Sequence, residues 1–154
     1  QTEMQQAITA LGNNGFASVY AANDGTSGGA IAAMKQAGID PSTRPITGQD
    51  AELAGIQRIV AGEQYMTVYK AIKPEAEAAA QLAYDLLQGK QPSGGVINGS
   101  TDNGSGKVPS VLLNPVAVNV DNINDTIIKD GFWTADQICT GQYKADCASA
   151  GIGQ

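Results

Sequence analysis

Apolar and polar positions alternate along the first half of the chain between a helical and an extended rhythm. Met4, Ile8 and Leu11 in QTEMQQAITALG stand at helical spacing, and Asn13, Asn14 and Gly15 then mark a turn. Phe16 to Ala22 (FASVYAA) predicts a buried strand, with the β-branched and aromatic content of an internal parallel position. A helix is expected over Gly28 to Ala37, with Asp24 or Thr26 as its cap and Gly38 as its stop. A connector from Pro41 to Pro45 leads to a short strand, Ile46 to Gly48, a helix over Ala51 to Ala61, and a third strand, Tyr65 to Tyr69. This order, βαβαβ, predicts an α/β fold with a doubly wound parallel sheet.

The second half changes character. Pro74 to Leu87 is rich in strong helix formers and ends near Gly89, so a helix is expected. Pro92 to Pro109 is rich in Gly, Ser and Asn and reads as a strand at Val96 to Asn98, a loop, and a return strand at Val108 to Leu113. Val116 to Val120 is expected to be extended and Asn122 to Lys129 to form a short helix, with an irregular tail beyond Asp130.

At 154 residues the chain can bury the core of one ordinary domain. Nine Lys and Arg stand against 15 Asp and Glu, and a net charge of -6 argues against nucleic acid as a partner. There is no His, which removes the commonest general base and metal ligand. Cys139 and Cys147 are spaced for a small disulfide loop or two free thiols, and the loop would fit an oxidising compartment. The opening of the chain within a helical pattern reads as a processed or truncated start.

Each of the three expected strands in the first half ends in a side chain with directed hydrogen-bonding capacity: Asn23, Asp50 and Lys70. In an open parallel sheet such positions gather in the crevice at the carboxyl ends of the strands, where ligands bind. Asn both donates and accepts, ionised Asp accepts and Lys donates, a set that suits the vicinal hydroxyls of a sugar. The bland reading makes Asn23 a turn residue, Asp50 a helix cap and Lys70 a surface lysine. Gly25 to Gly29 lacks the spacing of a phosphate loop, and Asp102 to Gly106 lacks the rest of a calcium loop. The acceptor patterns at Asn98, Asn103 and Asn124 carry no functional weight, and Trp133 reads as packing before sugar stacking. No activated nucleophile is visible, and no cofactor or metal is implied.

The stretches AANDGTSGGAIAAMKQAGID, ITGQDAELAGIQRIVAGEQYMTVYK and VPSVLLNPVAVNVDNINDTIIKDGFW resemble the C-terminal part of bacterial D-xylose-binding proteins, the extracytoplasmic substrate-binding components of ABC sugar transporters. The likeness runs over residues 1 to about 133. It implies two α/β lobes joined by three crossovers, a non-enzymatic role, D-xylose or a related aldopentose as ligand, and a membrane permease as partner. It implies that Asn23, Asp50 and Lys70 contact the sugar; the similar ribose-binding proteins usually carry glutamine where Lys70 stands. By the same likeness residues 1–70 belong to the C-terminal lobe, 71–113 complete the N-terminal lobe, 114–133 return, and 134–154 form the tail. Most of the N-terminal lobe is then expected in a missing first half of the same protein. A xylose-sensing subunit of a signalling system and a sugar-processing enzyme on a similar scaffold are the alternatives.

Overall fold

A computed structural model describes residues 1–91 and 96–154 of the chain. The Gly-rich stretch expected from Pro92 falls partly on residues 92–95, which lie outside the described residues. The chain divides into two compact units, Gln1–Tyr69 with Val116–Gln154, and Lys70–Pro115.

In the first unit, helix α1 (Thr2–Leu11) packs on α2 (Asp24–Gln36), and α2 packs on α3 (Leu53–Val60). The apolar faces of α1 and α2 meet in a cluster of Ile8, Ile31, Ala33 and Met34 joined by Ile39 and Ile46, with Met4, Phe16, Val19 and Ala37 packed against it. The expected parallel order is present, but as single bridges: Val19 pairs with Ile46 and Gln49 with Val68, both parallel. The ladder from Val19 stops because a side chain takes the next rung. Ala21 N–H donates to Thr47 Oγ1 at 3.1 Å, and that hydroxyl donates back to Ala21 O at 3.3 Å. The strands expected at Phe16 to Ala22 and Ile46 to Gly48 are thus reduced to one bridged residue each.

Strand β1 (Thr67–Tyr69) is shorter than the expected Tyr65 to Tyr69 and pairs antiparallel with a later strand, Val116–Val118, which becomes β4 in chain order. A 3-10 turn at Val120–Asn122 follows, capped by Asn119, and a π-helical turn at Asn124–Ile128 stands where one short helix is expected. The tail beyond Asp130 is ordered, contrary to the sequence reading. A capping box at Thr134 starts the helical turn α5 (Ala135–Ile138), and α6 (Lys144–Ala150) follows. A disulfide joins Cys139 to Cys147. Ile138, Cys147 and Ile152 are buried, and α5 and α6 both pack on α3. Apolar residues too sparse to read as periodic are thus buried against α3.

The second unit holds α4 (Ile72–Leu87) and an antiparallel hairpin of β2 (Gly99–Asp102) and β3 (Lys107–Ser110). The first strand lies further along the chain than the expected Val96 to Asn98, and the return strand starts one residue before the expected Val108 and ends at Ser110, short of Leu113. Glycines at 104 and 106, with φ of 85° and 157°, permit the tight reversal between Asp102 and Lys107. No residue of α4 is buried.

Candidate functional site

Asn23, the first of the three expected ligand residues, is the N-cap of α2. Its Oδ1 accepts from Thr26 N at 2.9 Å, and Thr26 Oγ1 accepts from Asn23 N in return, a complete capping box. The expected cap at Asp24 or Thr26 is corrected accordingly, and the helix starts four residues before Gly28. The cap uses the acceptor of the Asn23 amide, leaving its donor, Nδ2, without a hydrogen-bond partner among the described residues. Capping and ligand binding are therefore compatible.

Asp50 lies one bridge further along the strand edge. Its N–H donates to Val68 O at 2.9 Å, and the preceding carbonyl, Gln49 O, accepts from Asp24 N at 2.9 Å. Asn23 and Asp50 therefore flank one backbone rung. Asp50 is not a helix cap: α3 begins at Leu53, its N-cap is Glu52, and no side chain caps it. Instead Asp50 and Ala51 hold positive φ, 91° and 49°, and they are the two non-glycine residues with that conformation among the described residues. Each costs on the order of 1–3 kcal/mol unless its surroundings enforce it.

The surroundings here are a buried polar network that sequence reasoning missed. Asp24, fully buried at the first turn of α2, accepts from Gln64 Nε2 at 2.7 Å, Glu52 N at 2.9 Å and Thr67 Oγ1 at 3.0 Å. Thr67 Oγ1 accepts from Ala51 N at 3.2 Å. Arg58 donates to Asp24 O at 2.6 Å and to Gln64 Oε1 at 3.1 Å, and Ser27 Oγ donates to the same Gln64 oxygen at 2.9 Å. Burial pushes the Asp24 carboxyl above its ordinary value, while Gln64, Thr67, the Glu52 amide and the Arg58 charge pull it back. Gly48 and Gly55 make room for the network, since a Cβ at either would overlap the Asp24 carboxylate. A polar Thr67 within an otherwise apolar YMTVY strand was the signal in the sequence.

Trp133 packs rather than presenting a platform. Its indole N–H donates to Ala51 O at 2.8 Å, and its ring meets Phe132 edge-on with centroids 5.4 Å apart. Phe132 in turn lies 5.0 Å from the Tyr69 ring.

Lys70 follows β1 directly and is the first residue of the second unit, where it is exposed. It lines a cavity of about 420 Å³ within that unit, with Glu75 and the apolar Val111 and Leu113 among its other walls. Asn23 and Asp50 belong to the first unit. Among the described residues no group of three or more His, Cys, Asp or Glu could hold a metal ion, and no helix is long and apolar enough to cross a membrane.

The chain is 49% identical over 129 residues to the D-xylose-binding periplasmic protein of Escherichia coli, covering 84% of this chain and 38% of that protein. It is 47% identical over 135 residues to the D-xylose-binding periplasmic protein of Haemophilus influenzae, covering 88% and 39%. Among solved structures, a carbohydrate transporter solute-binding protein from Chloroflexus aurantiacus in complex with D-glucose superposes with a TM-score of 0.75 at 32% identity, covering 88% of this chain and 39% of that one. The chain thus spans about two fifths of the length of the relatives it matches. Residues 1–91 match the periplasmic binding protein domain, and the chain belongs to that family.

Proposed function

We propose that this chain supplies the C-terminal sugar-binding lobe and a segment of the N-terminal lobe of an ABC-transporter substrate-binding protein, which takes D-xylose or a related aldopentose and delivers it to a membrane permease. The observation that carries the reading is the 49% identity to a D-xylose-binding periplasmic protein across 129 residues. The site chemistry agrees with it. Asn23 Nδ2 donates to a sugar hydroxyl while Oδ1 caps α2; Asp50 accepts from hydroxyls; Lys70 donates to a hydroxyl or ring oxygen. Such bonds to hydroxyls discriminate well, because a sugar lacking one leaves a polar group of the site unpaired.

In this reading the protein binds sugar without transforming it, and it works outside the cytoplasm, where a disulfide such as Cys139–Cys147 persists. Residues 71–113 contribute to the opposing lobe, whose remainder lies elsewhere in the same protein. Closure of the two lobes shields the sugar from water.

Calorimetric titration of the full-length protein with D-xylose, D-ribose and L-arabinose tests this. D-xylose should bind most tightly, and Lys70→Gln should weaken it about tenfold and flatten the preference among pentoses. Absence of heat with every pentose would overturn the proposal, and unchanged affinity and preference in Lys70→Gln would remove Lys70 from the site. Recovery of chemically unchanged xylose after long incubation is expected; turnover would favour an enzyme instead.

A further inference from the structure

Three side chains far apart in sequence converge on consecutive peptide groups of the turn that carries Asp50. Thr67 accepts the Ala51 N–H, Trp133 donates to the Ala51 carbonyl, and Asp24 accepts the Glu52 N–H. The Asp50 N–H itself is held by Val68 O. The turn they grip has positive φ at two residues with side chains, where glycine would adopt the same backbone without strain. Three of its backbone groups are thus matched by side chains of α2, β1 and the segment before α5, and Ala51, Asp24 and Thr67 are all fully buried.

We propose that Asp24, Thr67 and Trp133 are positioning residues for Asp50: they clamp the left-handed turn that aims its carboxylate, and through it they set the affinity for a hydroxylated ligand. This rests on the reading of Asp50 as a ligand contact. A relaxed turn would swing the Cα–Cβ bond of Asp50, and a binding group needs to be held within about 0.5 Å of its productive place. Trp133 therefore acts on the sugar through Ala51 O, without stacking on it. The network costs the site nothing in exposed groups, because each donor and acceptor that grips the turn is spent inside the protein.

The test is a set of coupled variants in the full-length protein, titrated with D-xylose and followed by amide hydrogen exchange. Trp133→Phe keeps the aromatic packing and removes the N–H; Thr67→Val keeps the shape and removes the hydroxyl. Each should raise the Kd about three- to tenfold, the worth of one hydrogen bond, and speed exchange at Ala51 and Glu52. In an Asp50→Asn background, itself weaker, neither should add to the loss, because the turn then aims no carboxylate. Losses that add in full to that of Asp50→Asn, or wild-type affinity in both clamp variants, would overturn the inference while leaving Asp50 as a contact. Unchanged affinity in Asp50→Asn would overturn the reading of Asp50 and the inference with it. Should Trp133→Phe fail to fold, Thr67→Val decides by the same criteria.

Discussion

Asp24 shows how much a single residue can be asked to do. It follows the proposed contact Asn23, bonds through its backbone to the residue before Asp50, and gathers Gln64, Thr67 and Glu52 around its carboxylate. Burial raises its pKa above 3.8 in the native chain, so its contribution to stability is full below 3.8 and is lost as pH rises through the native value. Urea midpoints of the wild type and Asp24→Asn should therefore diverge in favour of the wild type as pH is lowered from 7 toward 4; a gap independent of pH would contradict the raised pKa. At Gly55, an added Cβ meets this buried carboxylate directly. Gly55→Ala should cost about 1–3 kcal/mol by urea titration, the range of an overpacked core, while Gly62→Ala, with open space around it but a φ of 74°, loses stability through strain alone.

Among the elements, those whose partners lie nearby in sequence were the more legible. Helices α1 to α4 follow from apolar spacing, helix formers and glycine stops, with boundaries displaced where a cap intervened: Asn23 starts α2 early, and the positive φ of Asp50 and Ala51 delays α3 to Leu53. The strands were less legible because their length depends on rungs from other segments, and the Thr47 hydroxyl replaces one. The tail read as irregular because α5 is a single turn and α6 only 7 residues long, too short to show a period. Its order rests on contacts with α3 and on the disulfide. Replacing both Cys139 and Cys147 by Ala should lower stability by about 2–3 kcal/mol, as expected for a short closed loop, and a urea midpoint equal to wild type would show the bond to be dispensable.

At the scale of the molecule, the two units differ in what they bury. The first contains the fully buried Met34, Ile46, Ile56, Ile123 and Ile127; in the second, α4 buries no residue and leaves Ile72, Tyr84, Leu86 and Leu87 exposed. A lone helix and a two-stranded hairpin are marginal in water. Hydrogen exchange on the 154-residue chain should therefore show strong protection at 30–34 and 56–60 and little at 72–87, with protection of 72–87 rising in the full-length protein. Equal protection of the two regions in this chain would contradict the difference. On the proposed function, the same chain should bind D-xylose far more weakly than the full-length protein, because the contacts proposed for the opposing lobe are then missing.

The α/β order of elements, the four principal helices and the family likeness were legible in the order of the amino acids, because periodicity, caps and local motifs are properties of neighbouring residues. The amino-acid order also marked Asn23, Asp50 and Lys70 by their place at the ends of apolar runs. Tertiary structure decided what holds Asp50: a left-handed turn gripped by residues 24, 67 and 133, which no spacing rule connects. It decided too that the tail is ordered and buries Ile138, Cys147 and Ile152, since burial and hydrogen-bond partners arise only when distant segments meet.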